Sequence, residues 1–210
     1  MKERPILMKG AMVRAVLDGR KTQTRRIVKQ LDPAMSACTT GNDGRPMSVC
    51  WAYGGPVLHC PYGKPGDRIW VRETFGYVSP DENQRPHSEC NIEYRADLAP
   101  DCTDRPGSWP VEECAGDPER PRWRPSIHMP RAASRILLEI VSVRVERLND
   151  CSDADARAEG ALGGHGVIPS YNYHATPSEH FSHLWESING TGSWAANPWV
   201  WVIEFKRVMS

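Results

Sequence analysis

Residues 4–28 read RPILMKGAMVRAVLDGRKTQTRRIV, and the order of elements in this stretch decides the fold class. Met8, Met12, Val13, Val16 and Leu17 recur at helical spacing, and Gly19 follows as a stop signal. The run TQTRRIV after it predicts a strand, so the unit is strand, helix, strand. Outward from it, GKPGDRIWVRETF at 63–75 gives a Pro-Gly turn and then a strand. Arg135 to Arg147 alternates, with Ile136, Leu138 and Ile140 on one side, and PWVWVIEFKRV at 198–208 places Trp199, Trp201, Ile203 and Phe205 on one face of a closing strand. Two helices lie between these strands. CSDADARAEG starts from Cys151, with Ser152 as N-cap and Glu159 near its end, and Pro177 to Ile188 follows a Gly-rich, aromatic loop at 161–176. Strands dispersed among single helices predict an α+β or small-barrel architecture rather than a parallel doubly wound sheet.

The intervening stretches carry little periodicity. Residues 31–63 are rich in Gly, Pro, Ser, Thr and Cys, and residues 79–121 are Pro-rich and acidic with only NIEYRAD (91–97) strand-like, so both are expected as insertions into one domain spanning 1–210. A 40% apolar share plus 17 Gly in 210 residues comes to about 48%, enough for a core and against wholesale disorder. No long apolar stretch and no signal-peptide pattern is present, which predicts a cytoplasmic chain without membrane insertion. Seven Cys with no C-x-x-C pair fit reduced thiols, and no metal or other cofactor is expected.

Charge is balanced overall, 26 basic against 26 acidic, yet it is segregated. Residues 1–30 carry nine basic and two acidic side chains, residues 120–147 seven and two, and residues 79–119 three and eleven. A basic face follows, and 20 Arg against 6 Lys favours guanidinium recognition of phosphate or base edges.

The densest polar constellation is GRKTQTRR at 19–26. Arg20, Arg25 and Arg26 crowd Lys21, which lowers the cost of a neutral amine and lets Lys21 serve as base toward the Thr24 hydroxyl. The alternative is a basic strand that contacts phosphate, with Thr chosen for β-propensity. In PGDRIWVRET, Arg68, Trp70 and Arg72 share a strand face and fit either a base-stacking clamp or a core Trp with structural ion pairs. Trp123, Arg124, His128 and Arg131, in the Pro-interrupted WRPSIHMPR, are open to the same two readings. His180, His183 and Glu186 recur every third residue but lack H-E-x-x-H, and EGALGGHG (159–166) lacks the phosphate-loop Lys.

GRKTQTRR after a strand-helix unit, PGDRIWVRETF, WRPSIHMPRAASRI, the helix ending AEG and the terminal WVWVIEFKRV together resemble an ASCH-domain protein of the large phage and prophage type. That resemblance implies a PUA-like small β-barrel with flanking helices. PUA relatives bind RNA, and the smallest ASCH members include N4-acetylcytidine amidohydrolases. Their catalytic Lys, Thr and Glu fall on Lys21, Thr24 and Glu159. The implied reaction is amide hydrolysis on an acylated nucleoside, with Thr24 as nucleophile, Lys21 as its base and Glu159 passing a proton to the departing amine. Arg20, Arg25, Arg26, Arg68, Trp70, Arg72, Trp123, Arg124, His128 and Arg131 are the candidate substrate or nucleic-acid contacts. Expected partners are RNA or a modified nucleoside, with DNA as a further option. A non-catalytic binding module and a ribonuclease using the same groove are the competing functions.

Overall fold

The spine of the molecule is ILLEIVSVRVER, whose alternation forms the eleven-residue strand Leu137–Arg147. In the computed structural model, which describes residues 1–29, 35–40, 46–51, 58–80, 86–98, 106–107 and 122–208, the elements are as follows. β1 (Glu3–Leu7), α1 (Gly10–Leu17) and β2 (Gln23–Ile27) form the predicted opening unit. β3 (Met35–Thr40), β4 (Pro46–Trp51), β5 (Arg68–Arg72), β6 (Phe75–Val78) and β7 (Asn91–Tyr94) follow. β8 (Leu137–Arg147), α2 (Asp153–Ala158), α3 (Pro177–Asn189) and β9 (Trp199–Arg207) complete the order.

The class is α+β. A five-stranded sheet runs β1-β5-β8-β9-β2, with β1 and β5 parallel and the other neighbours antiparallel. Among the described residues this ladder does not close on itself, so β1 and β2 are edges. Pro5 is tolerated because β1 is such an edge. The ends of the two edges are joined by a side chain instead, Arg26 Nη2 donating to the Leu7 carbonyl at 2.8 Å.

Both faces of β9 are buried. Trp201, Ile203 and Phe205 join Ile6, Val13, Ile69, Leu138 and Val145 in the main core, over which α1 packs through Val13 and Val16. Val200 and Val202 face the other way, into a second cluster with Phe181 and Trp185 of α3 and Ala156 of α2. β8 serves both faces through a bulge. The register steps from Ile140 opposite Phe205 to Ser142 opposite Glu204, leaving Val141 as the extra residue. Leu138 and Ile140 point into the main core before the step, and Val143 and Val145 after it. The inward set has moved from even to odd numbers, which turns Arg144 and Glu146 toward α2.

One expectation changes. The stretch 31–63 is not simply a loop, because β3 and β4 pair as an antiparallel hairpin. Main-chain hydrogen bonds hold a two-stranded ladder, so it leaves no apolar periodicity to read. Within 79–121, β7 pairs with β6 as the NIEYRAD segment suggested. The rest of both insertions, at 30–34, 41–45, 52–57, 81–85, 99–105 and 108–121, lies outside the described residues. No described helix is long and apolar enough to cross a membrane.

Deleting Val141 would place Ser142 directly after Ile140 and give a regular ladder, with Val143 and Val145 still facing the main core and Arg144 and Glu146 still facing α2. A modest change, about 1–2 kcal/mol, is expected, since an exposed residue is removed and both faces keep their side chains. Val141→Thr, at a position 51% exposed, should stay within about 0.5 kcal/mol of the parent. Urea denaturation of both variants checks this, and a deletion that fails to fold contradicts the placement of Val141 as the extra residue.

Candidate functional site

Lys21 follows the end of α1, where Gly19 adopts φ +73° and turns the chain back. Its N–H donates to the Ala15 carbonyl at 2.9 Å, and Thr22 N–H donates to the Ala158 carbonyl at 2.9 Å, stitching this segment to α1 and to α2. α2 is held in place by the predicted cap. Ser152 Oγ accepts from Asp155 N–H at 3.1 Å, while the Asp155 carboxylate accepts from Ser152 N–H at 3.2 Å, a capping box. Glu159 is the C-cap of that helix, and Gly160 at φ +96° passes close by, where an added Cβ would stand 3.1 Å from Ala15 Cβ.

Lys21 and Glu159 meet across this junction. Lys21 Nζ donates to Glu159 Oε2 at 2.6 Å and to the Glu159 carbonyl at 2.9 Å, and the two side chains are 0% and 3% exposed. Arg25 Nη1 donates to the other carboxylate oxygen at 3.3 Å. Glu159 therefore carries one cation on each oxygen. Burial lowers the Lys21 pKa below its ordinary 10.5; the Glu159 carboxylate opposes this, and the Arg26 and Arg25 charges add to it. For Arg25 burial also disfavours charge, but the carboxylates of Glu159 and Glu146 outweigh it and hold its pKa above the ordinary value.

A polar network fixes the Arg25 guanidinium. Its Nη2 is held by Glu146 and lies 3.5 Å from Asp155 Oδ1. Arg144 runs alongside, donating to Glu146 Oε2 at 3.0 Å and to Asp155 Oδ1 at 2.9 Å, to Gln23 Oε1 at 3.2 Å, and to Glu204. Burial alone would raise the Asp155 pKa, yet the Ser152 hydroxyl, Arg25 and Gln23 hold it down at about 2. Cys151, nearby, is pushed up to about 12 by burial, so it stays a thiol.

Thr24 faces the opposite way. Pairing sets Thr24 opposite Ile203 and Arg25 opposite Val202, so Thr24 lies on the main-core face with Arg26 while Gln23 and Arg25 face α2. Thr24 is wholly buried, and its Oγ1 accepts from Arg26 Nη1 at 2.9 Å rather than from Lys21. Arg26 Nη1 also donates to the Arg25 carbonyl at 2.9 Å.

A cavity of about 760 Å³ lies between α1, α3 and the end of β2. Glu159, Arg25, Arg26 and Arg20 are at its wall, whereas Lys21 and Thr24 lie behind it. Arg20 is exposed and pairs with Asp18 at 2.7 Å. The remaining expected contacts do not line this cavity. Arg72 donates to the Met129 carbonyl at 3.1 Å and to that of Ile127, and Arg131 pairs with Glu3 at 2.9 Å, both guanidiniums flanking the Trp70 ring at 5.4 and 5.9 Å. Trp70 is half-buried between them, Arg72 is engaged by main-chain carbonyls rather than by Glu73, and Glu73 pairs with Arg135 at 3.0 Å, so neither reading of this strand face is met in full. Arg124 lies over Tyr77 at 5.2 Å and meets His87 Nε2 at 2.9 Å; Arg68 and Trp123 are half-buried, and His128 is exposed on a short turn.

Sequence reasoning missed two groups. Arg144, Glu146, Asp155, Gln23 and Glu204 brace the site, and the signal was two charged residues alternating with valines in VSVRVER. His180, Phe181 and Trp185 of α3 line the cavity. His180 Nδ1 accepts from Gly163 N–H at 3.3 Å, and burial together with the neighbouring His183 lowers its pKa, which keeps the ring neutral. Among the described residues no group of three His, Cys, Asp or Glu is placed to hold a metal ion. Comparisons with protein-family models, with curated proteins and with solved structures return no match.

Glu159→Ala would leave the enclosed Lys21 without its carboxylate, while Arg25 keeps Glu146, and should cost about 3–5 kcal/mol in denaturant unfolding. Linkage gives a second expectation. Because the folded pKa of Lys21 is lowered, the folded state binds fewer protons between that value and 10.5, so this group's contribution to stability increases as pH rises through that window and is lost as pH falls. Glu159→Gln removes the charge that raises Lys21, so the window should extend to lower pH; an unchanged pH dependence contradicts the pairing.

Proposed function

We propose that this chain is an amidohydrolase of an acylated nucleoside such as N4-acetylcytidine, built on a PUA-like ASCH domain. The observation that carries the reading is the enclosed Lys21–Glu159 pair, 2.6 Å apart, with Glu159 at the wall of a cavity of ligand size and Lys21 behind it. Arg26, which ties the two edge strands, supports a barrel-like reading of the open sheet.

In this reading a local rearrangement of β2 has to bring the Thr24 hydroxyl from Arg26 to Lys21 at the cavity; neutral Lys21 then takes its proton as Thr24 Oγ1 forms a bond to the amide carbonyl carbon. Arg26 already donates to that oxygen and opposes the build-up of negative charge on it. The carbonyl electron pair moves to oxygen, facing Arg25 or Arg26. Its return breaks the C–N bond, while Glu159 relays the proton from Lys21 to the departing amine, and water then cleaves the Thr24 ester to release the acid. The enclosure of Thr24 favours a second reading, in which the cavity binds a modified nucleoside or RNA without cleaving it.

Loss of N4-acetylcytidine, followed by absorbance, separates the two. Lys21→Ala, Thr24→Ala and Glu159→Ala should each lower kcat by about 100-fold or more, with double variants little worse than the worst single one. Thr24→Ser should keep appreciable activity. Activity should rise with pH as Lys21 loses its proton, with a midpoint below 10.5. Full turnover in Thr24→Ala eliminates the nucleophile, and no turnover of any acylated nucleoside by the wild type favours the binding module.

A further inference from the structure

The α1–α3 cavity carries more positive charge than its own carboxylates can neutralise. Lys9, Arg14, Arg20, Arg25, Arg26 and Lys29 line it, against Asp18 and Glu159. Asp18 is already paired with Arg20, and Glu159 with Lys21 and Arg25. Arg14 donates to the Ala96 carbonyl at 3.1 Å, and Arg26 is occupied by Thr24 and the Leu7 carbonyl. Lys9 and Lys29 are exposed, and their ammonium groups make no hydrogen bond or ion pair among the described residues. Lys9 is also the N-cap of α1, where no side chain caps the helix and no acidic residue occupies the first turn, so the partial positive charge of that end adds to the same rim.

The interior is different. Phe181, Leu184, Ile188 and Met12 give it apolar and aromatic surface. Two enclosed donors on its lining residues lack any partner, Arg25 Nε–H and Trp185 Nε1–H. The combination is an interior suited to a planar heterocycle with carbonyl acceptors and a rim suited to an anion attached to it.

From this charge distribution we propose that the cavity takes the phosphorylated form of its nucleoside: the base lies inside against Phe181 and Trp185, and a phosphate ester is held at the rim by Lys9 and Lys29. The inference rests on the nucleoside reading above and adds the phosphate. The phosphate belongs either to a free 5′-mononucleotide or to an RNA chain, and the same two lysines serve both. Point-charge ammonium groups on flexible stems suit a phosphate that differs slightly in position between the two.

The test is calorimetric binding of cytidine, cytidine 5′-monophosphate and a five-residue oligoribonucleotide with one cytidine, to the full chain and to a Lys9→Ala/Lys29→Ala double variant. The wild type should bind the monophosphate about tenfold more tightly than cytidine at low salt, and that ratio should shrink as salt is raised. In the double variant the ratio should fall toward one. Both lysines are exposed, so the variant should fold, and Lys9→Arg/Lys29→Arg should restore most of the preference. An oligonucleotide that outbinds the monophosphate identifies the RNA chain as the source, and equal binding identifies the mononucleotide; either supports the phosphate site. A ratio near one in the wild type, no binding of either cytidine compound, or a preference that survives in the double variant overturns it. N4-acetylcytidine hydrolysis in the same preparation keeps the two claims apart. Hydrolysis without phosphate preference sinks this inference alone, and phosphate preference without hydrolysis sinks the amidohydrolase reading alone.

Discussion

Taking a lysine ammonium and a glutamate carboxylate out of water costs several kcal/mol per ion, and attraction between them repays it only with close geometry and further hydrogen bonds. Lys21 and Glu159 meet both conditions, at 2.6 Å, with the Glu159 carbonyl as a second acceptor for Lys21 and Arg25 on the second carboxylate oxygen. Much of the surrounding architecture exists to hold that contact. The Ser152 capping box fixes where α2 begins and so where Glu159 falls. The turn at Gly19 brings Lys21 back against Ala15, and Gly160 leaves room for the two segments to touch.

The sheet contributes by sorting side chains onto two faces. Pairing of β2 with β9 sends Gln23 and Arg25 toward α2, and sends Thr24 and Arg26 toward the main core. The bulge at Val141 then makes β8 obey the same sorting, so Arg144 and Glu146 meet Arg25 from beside it rather than entering an apolar core. Arg25 is the link between the braced network and the cavity. It contacts Glu159, Glu146 and Asp155, yet it also lines the opening and approaches the Phe181 ring at 5.8 Å.

The strand-helix-strand opening, the Ser152 cap, the helix at 177–189 and the closing aromatic strand were legible because each has a local signal: helical spacing, a cap, or alternation. The bulge was not. Ile140-Val141-Ser142-Val143 fits alternation in either phase, and the choice is made by pairing with β9. Lys21 and Glu159 were singled out, but their contact spans 138 residues and depends on how two turns pack. The expected Lys21–Thr24 contact gave way to Arg26–Thr24 because residues 24 and 26 share a strand face. The Arg68, Trp70, Arg72 face was ambiguous in sequence, since a guanidinium engaged by main-chain carbonyls and one free for a ligand have the same letters.

The account stands on a lysine that is kept in a closed, charge-paired environment and can lose its proton more readily than its fellows. Nitrogen-detected NMR titration of the lysine ammonium groups, with Lys21 identified through Lys21→Met, tests that most directly. Lys21 should titrate below the ordinary 10.5, and Glu159→Gln should move it lower still. A Lys21 titration at or above 10.5, or a Lys21 resonance indifferent to Glu159→Gln, would contradict the account.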